Sequence, residues 1–189
     1  NTPDNTTWYY DLEAISQTTV YCAGGKMLKT VNGGTTWSPL TIAGYNSTVW
    51  GISFYNSSTG WGCGFTGKIF KTTNGGTEWS TLTVGTESFR DILFVNSSTG
   101  FVCGDIGRLY KSTNAGANWT AKNPGTTMML RTITNYNTGM IWIGGGYGSE
   151  GVIVKSTNTG DSWETMQTFE RPIEKIQFID ALTGFASSD

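Results

Sequence analysis

Residues 71–79 read KTTNGGTEW, and the chain writes that phrase four times: KTVNGGTTW (29–37), KTTNGGTEW (71–79), KSTNAGANW (111–119) and KSTNTGDSW (155–163). The shared skeleton is Lys-Thr/Ser-x-Asn-x-Gly-x-x-Trp. Its closing tryptophans, Trp37, Trp79, Trp119 and Trp163, step by 42, 40 and 44 residues. That period suits both propeller blades and some helical repeats, so the content of each unit has to decide. Residues 49–84 divide into VWGISFYN, an NSST turn, GWGCGF, a Gly turn, KIFKTT, the turn NGGT and EWSTLTV. Four strand-length segments separated by turn residues make a four-stranded meander. No segment keeps a 3.6-residue apolar period, which argues against helices.

The expected fold is therefore all-β, a β-propeller of four-stranded antiparallel blades. The blades fall at about 6–45, 46–86, 87–126 and 127–170, with an incomplete fifth over 171–189. In that last piece Ile176-x-Phe178 matches Ile52-x-Phe54, and Thr183-Gly184-Phe185 matches Thr99-Gly100-Phe101. An unfinished blade exposes a strand edge. It predicts either self-association or a larger parent chain that completes the half blade.

Within the phrase, Asn32, Asn74, Asn114 and Asn158 are suited to accept turn N–H groups. Gly34, Gly76, Gly116 and Gly160 permit positive φ. Trp37, Trp79, Trp119 and Trp163 bring a large ring to the outer strand. Four near-identical copies are too even for one active centre, so the phrase is read as a structural corner. The matching lysines 29, 71, 111 and 155 are expected to lay their stems along the sheet.

Composition narrows the function. Of 189 residues, 14% are charged and 13% aromatic, and the net charge is −2. Nothing here favours a nucleic acid, and no apolar run approaches the roughly 20 residues that cross a membrane as a helix. The chain has no histidine, which excludes a Ser-His-Asp triad, a Cys-His pair and any His-ligated metal. No metal and no cofactor is implied. Cys22, Cys63 and Cys103 recur at 41 and 40 residues. They are read as equivalent buried positions, and no disulfide is expected.

The phrase resembles the Asp-box of bacterial neuraminidase repeats, Ser/Thr-x-Asp-x-Gly-x-Thr-Trp. The whole unit resembles the photosystem II stability/assembly factor family, across essentially the entire chain. All four copies carry Asn for Asp, and the penultimate Thr survives only as Thr36. The resemblance implies a propeller first and a function second.

Three functions compete. An Asp-box glycosidase or sialidase needs a carboxylate pair or an arginine cluster. The chain has four scattered arginines (Arg90, Arg108, Arg131, Arg171) and no carboxylate pair marked by context among Asp91, Asp105, Glu150 and Glu174. A photosystem-assembly chaperone binding a membrane protein is implied by the resemblance, together with an arginine-rich patch that this chain lacks. The favoured reading is a non-enzymatic, secreted or cell-surface module, bacterial and with a processed N-terminus, binding protein or glycan or assembling outside the cell.

The candidate ligand site follows from two deviations. The second-to-third-strand loop grows to GGGYGSEG (144–151) in the fourth unit, bringing Tyr147 and Glu150 near Asp105 of the neighbouring loop. Counting back from Thr138-Gly139 places Arg131 where Ile52, Ile92 and Ile176 stand elsewhere, which means a functional charge or a shifted register. Trp61 is assigned to the core with Cys63, whereas Trp8 and Trp50 are candidates for an exposed platform. Asn-x-Ser/Thr sequons at Asn5, Asn46, Asn56, Asn96 and Asn118 are surface turns first and glycosylation acceptors only in a glycosylating host.

Overall fold

The computed structural model describes residues 6–180 and 182–188; the sequon at Asn5 lies outside them. The chain divides into two compact units, one ending at Ser88 and one beginning at Phe89. The first unit holds two antiparallel meanders. One is β1 (Tyr9–Ala14), β2 (Val20–Gly24), β3 (Met27–Thr30) and β4 (Ser38–Leu40); the other is β5 (Val49–Phe54), β6 (Gly60–Gly64), β7 (Lys68–Thr72) and β8 (Ser80–Thr83).

The second unit holds two more meanders and a half. These are β9 (Phe89–Phe94), β10 (Gly100–Gly104), β11 (Leu109–Ser112) and β12 (Thr120–Lys122), then β13 (Leu130–Asn135), β14 (Ile141–Tyr147), β15 (Glu150–Ser156) and β16 (Glu164–Phe169). The two-stranded remainder is β17 (Lys175–Phe178) with β18 (Gly184–Ser187). This is the all-β blade organisation that the repeat predicts.

Each corner is closed by the same hydrogen bonds. The Asn Oδ1 accepts the N–H four residues on, at 2.9 Å for Thr36, Glu78, Asn118 and Ser162. The Thr/Ser hydroxyl of the phrase accepts the glycine N–H, at 2.8–3.0 Å for Gly34, Gly76, Gly116 and Gly160. The residue just after the Asn also has positive φ, and its N–H binds the first turn of the same blade. These bonds are Gly33 to Thr18, Gly75 to Ser58, Ala115 to Ser98 and Thr159 to Gly139. Ala115 (φ 57°) and Thr159 (φ 58°) lie in the left-handed region despite their side chains. That costs roughly 1–2 kcal/mol per residue, which the closed corner offsets.

The phrase's lysines do more than cover the sheet. Lys29, Lys71, Lys111 and Lys155 pair across the ladder with Tyr21, Trp61, Phe101 and Trp142. Each ammonium lies 5.1–5.9 Å from its ring centroid. Two then reach the corner of the following blade in the same unit. Lys29 Nζ donates to the Gly75 carbonyl at 3.0 Å, and Lys111 Nζ to Asp161 Oδ1 at 2.8 Å. The rings follow the same path: Tyr21 stacks on Phe54 at 3.8 Å, and Phe101 lies against Gly160 and Trp163.

Inner strands are stitched by carboxylates. Asp11 Oδ2 accepts the Ile52 N–H at 2.9 Å, and Glu13 Oε2 the Phe54 N–H at 2.6 Å. In the second unit Asp91 Oδ2 accepts the Ile133 N–H at 2.8 Å.

The register decides one open alternative, in favour of a shifted count at Arg131, and corrects two expectations. Ile133, not Arg131, is the counterpart of Ile52 and Ile92: it pairs with Ile143 as they pair with Gly62 and Val102, and its amide takes the matching carboxylate. Thr138-Gly139 had set the count wrongly, because Asn137 caps Gly139 and Met140 just as Asn56 caps Ser58 and Thr59. The Thr-Gly pair of the fourth blade therefore sits inside the turn.

The cysteines are not all equivalent. Cys63 and Cys103 face Gly51 and Asp91, but Cys22 faces Leu12, the place of Gly62 and Val102. It points to the opposite side of its strand. All three are buried and none is in a disulfide. Burial, with Asp11 nearby, pushes the Cys22 thiol up from its ordinary range.

Finally, GGGYGSEG is no loop. β14 and β15 run seven residues each and meet at Tyr147 opposite Glu150, leaving only Gly148-Ser149 as the turn. Its glycines serve close approach: a β-carbon on Gly145 would meet the Met129 carbonyl at 2.0 Å, and one on Gly151 the Arg171 carbonyl at 2.0 Å.

Candidate partner-binding rim

Each full blade begins its inner strand with a β-bulge, the extra residue falling between Tyr9 and Asp11, Val49 and Gly51, Phe89 and Asp91, and Leu130 and Thr132. The bulged residues are Tyr10, Trp50, Arg90 and Arg131. A bulge re-aims one side chain at the end of a strand, next to the loop that follows the second strand. Counting back from the residues that cap the first turn of each blade, Ser16, Asn56, Asn96 and Asn137, aligns these four in the sequence.

In the first unit the bulged residues are aromatic. Tyr10 and Trp50 lie 4.2 Å apart, and Trp50 meets Phe65 edge-on at 5.5 Å. Tyr10 is exposed and Trp50 half-buried, while Trp8 is 79% exposed. Trp61 is fully buried, as expected. Tyr45 braces this rim: its hydroxyl donates to the Thr48 carbonyl at 2.8 Å and accepts the Phe65 N–H at 3.0 Å. Burial pushes that phenol above its ordinary range.

In the second unit the bulged residues are charged. Arg90 grips Asp105 with two parallel bonds, Nε to Oδ1 at 2.8 Å and Nη2 to Oδ2 at 3.2 Å. Arg131 reaches Glu174, with Nη1 at 3.0 Å from Oε1 and 3.1 Å from Oε2. Its Nε donates to the Gly146 carbonyl at 3.4 Å. Both pairs are partly exposed. The structure thus gives each sequence candidate a place. Asp105 opens a 3-10 turn (Asp105–Gly107) that lies against β13, Arg131 ties β13 to the long hairpin, and Tyr147 and Glu150 stand exposed at the tip.

Two roles escaped the sequence reading. Glu174 had no local mark as an arginine partner. Ile106 is 56% exposed and has φ 49°, a conformation that a β-branched residue adopts only at a cost. Thr66 (φ 54°) holds the same place in the second blade, so the tight turn demands it and the exposed isoleucine is tolerated there.

The carboxylates of this region have partners. Asp11, Glu13 and Asp91 accept backbone amides; Asp105 and Glu174 face arginines. Away from the rim, Asp161 beside Lys111 and Asp180 beside the Leu182 and Thr183 amides are held below the ordinary range. No group of three or more His, Cys, Asp or Glu placed to hold a metal occurs among the described residues.

The sequence profile of the photosynthesis system II assembly factor YCF48 family matches residues 4–140. The chain belongs to the YCF48 family. No curated protein matches it in sequence. Among solved structures, YCF48 bound to a D1 peptide superposes with a TM-score of 0.62 at 16% identity, over 96% of this chain and 88% of that one. YCF48 from Cyanidioschyzon merolae gives 0.74 at 19% identity, over 98% of this chain and 66% of that one. A GH74 enzyme from Niastella koreensis gives 0.65 at 21% identity, over 80% of this chain but 28% of the enzyme. At these identities the likenesses establish the propeller fold alone. Membership in a family named for photosystem II assembly overturns the expected extracellular or cell-surface location, since that assembly is not an extracellular process.

Proposed function

We propose that this YCF48-family chain is a protein-binding propeller of the assembly-factor kind, and that its second unit binds an extended peptide segment along the rim of Arg90, Ile106, Arg131 and Tyr147. The observation that carries the reading is the pair of arginines on equivalent bulges of adjacent inner strands, each resting on a partly exposed carboxylate. Such pairs are primed for exchange. An incoming carboxylate replaces Asp105 or Glu174 on a guanidinium whose fork already has the right geometry. Ile106 and the Tyr147 ring supply apolar contact on either side. The relative bound to a D1 peptide supports a peptide as the ligand class.

No catalytic step is proposed. Glycoside hydrolysis needs two carboxyls facing one bond, whereas Asp105 and Glu174 each face an arginine and Asp91 accepts backbone amides. The GH74 likeness extends to the fold only.

The test is fluorescence anisotropy with a labelled D1 peptide and a version in which its carboxylates are amidated. The intact peptide should bind, and amidation or Arg131→Ala with Arg90→Ala should each weaken binding by about tenfold to a hundredfold. Circular dichroism must show the variant still folded. Equal binding by the variant and the parent protein sinks the reading.

A further inference from the structure

The seam between the third and fourth blades departs from its counterpart between the first and second at three positions, and all three line one pocket. Lys122 stands opposite Leu109, where Leu40 stands opposite Met27 and Leu82 opposite Ile69. Leu40 lies against Gly76 of the following corner, whereas the Lys122 ammonium comes within 3.5 Å of Asp161 Oδ1 in the following corner. Asp161 replaces Thr35 and Thr77, whose hydroxyls donate back to the Asn32 and Asn74 carbonyls at 3.0 and 3.1 Å. Asn118 takes the place of Thr36, Glu78 and Ser162, each of which accepts a bond from its corner's Asn Nδ2 at 2.8–3.3 Å. Asn118 takes no such bond, and its corner's Asn114 makes its bonds through Oδ1.

The pocket measures about 170 Å³, several times the ~30 Å³ of a water molecule. Asn114 Nδ2, the Asn118 amide and the Thr113 and Thr120 hydroxyls line it, without a hydrogen-bond partner among the described residues. Lys111 is almost wholly buried, and its ammonium donates to Asp161 Oδ1 at 2.8 Å. Lys122 approaches the same oxygen, so two ammoniums meet one carboxylate and the pocket keeps a net positive charge. Asp161 Oδ2 accepts no hydrogen bond among the described residues. The Lys111 bond, first among its causes, holds the Asp161 carboxyl below its ordinary range, so Asp161 offers acceptors only.

We propose that this pocket binds a protonated phosphoryl group, as free phosphate or as a phosphomonoester. Lys122, the two asparagine amides and the two threonine hydroxyls donate to its bare oxygens from several directions, which suits a tetrahedral anion better than a planar carboxylate. The P–OH donates to Asp161 Oδ2. Sulfate has the same shape but no proton to give, so it would set a bare oxygen against the carboxylate. β11 leads from the Asp105 turn to this corner, which puts the pocket and the Arg90 and Arg131 rim at opposite ends of the blade. Either reading can fail without the other.

The test is nuclear magnetic resonance of the intact, isotope-labelled protein, titrated at constant ionic strength with sodium phosphate, sodium sulfate or methyl phosphate. The side-chain amides of Asn114 and Asn118 are the reporters. Phosphate should shift both saturably, and sulfate should bind about tenfold more weakly or worse. Lys122→Met should weaken phosphate by about tenfold or more. Asp161→Asn should bring phosphate and sulfate within about threefold of each other, a change of selectivity that general loosening of the corner would not produce. Methyl phosphate binding as well as inorganic phosphate assigns the site to a phosphoryl group on a larger ligand; much weaker binding assigns it to the free ion. Three outcomes overturn the proposal: no saturable shift with either phosphate, sulfate binding as tightly as phosphate, or unchanged affinity in Lys122→Met.

Discussion

Phe54 stands directly opposite Gly60 across the first hairpin of the second blade, and its ring fills the space where a β-carbon on that glycine would lie, 2.4 Å away. The same pairing joins Phe94 to Gly100 and Phe178 to Gly184. The fourth blade inverts it, with Asn135 opposite Ile141. Volume passes from one strand to the other, and the pair stays packed.

That inversion sets a test. Gly60→Ala alone should cost roughly 1–3 kcal/mol by overpacking. Combining Gly60→Ile with Phe54→Asn, the fourth blade's solution, should cost less than the sum of the two single changes. Urea denaturation of the four proteins in the cycle measures the coupling, and strict additivity would mean that the two sites do not share space.

Asn and Asp should not be interchangeable in every corner. Asn32 Nδ2 donates to Thr36 Oγ1 at 2.9 Å, whereas Asn74 Nδ2 donates to Glu78 Oε2 at 3.3 Å. Asn32→Asp keeps the Oδ1 acceptor and can still accept from the Thr36 hydroxyl, so its melting temperature should barely change. Asn74→Asp sets a second carboxylate against Glu78 and should lower the melting temperature at neutral pH. Thermal melts of both variants at neutral pH, with Asn74→Asp/Glu78→Gln as the rescue, decide it.

Asp91 is a buried bond acceptor between two inner strands. Asp91→Ala strands the Ile133 N–H and should destabilise by about 1–3 kcal/mol. Asp91→Asn, which keeps an oxygen in place, should cost less. The order of the two denaturation midpoints is the readout.

Asp161 is held below the ordinary carboxylate range, first by its hydrogen bond from Lys111. A depressed folded-state pKa stabilises the fold above the unfolded value, and that contribution fades as pH falls through the folded value. Asp161→Asn should therefore melt below the parent protein at neutral pH, and the gap should close in acid. Because Asp161 is well exposed, the gap should also shrink with salt. A gap that persists unchanged into acid would assign the effect to packing.

The corners were legible because the bonds made by their own Asn and Thr/Ser side chains are local. Asn74, Thr72, Gly76 and Glu78 lie within seven residues, and the bonds among them need no partner from elsewhere. Repetition then gave the blade plan and marked Lys29, Lys71, Lys111 and Lys155 as significant, although the use of Lys29 and Lys111 as clasps between blades depends on the Gly75 carbonyl and the Asp161 carboxylate, 46 and 50 residues away. The rim was legible only in part. Arg131 stood out as a charge in an apolar slot, but its true place is a bulge, and a bulge leaves no mark in a count made from the wrong turn.

By itself, then, the sequence determined the repeat, the corners and the all-β propeller, because turn chemistry and strand period are properties of neighbouring residues. Only the tertiary structure decided that Arg131 meets Glu174 rather than the core, that GGGYGSEG is ladder rather than loop, and that Cys22 faces away from its apparent equivalents. Each of those depends on strand register, and register is fixed by which chain segment lies opposite, across distances that no local pattern records.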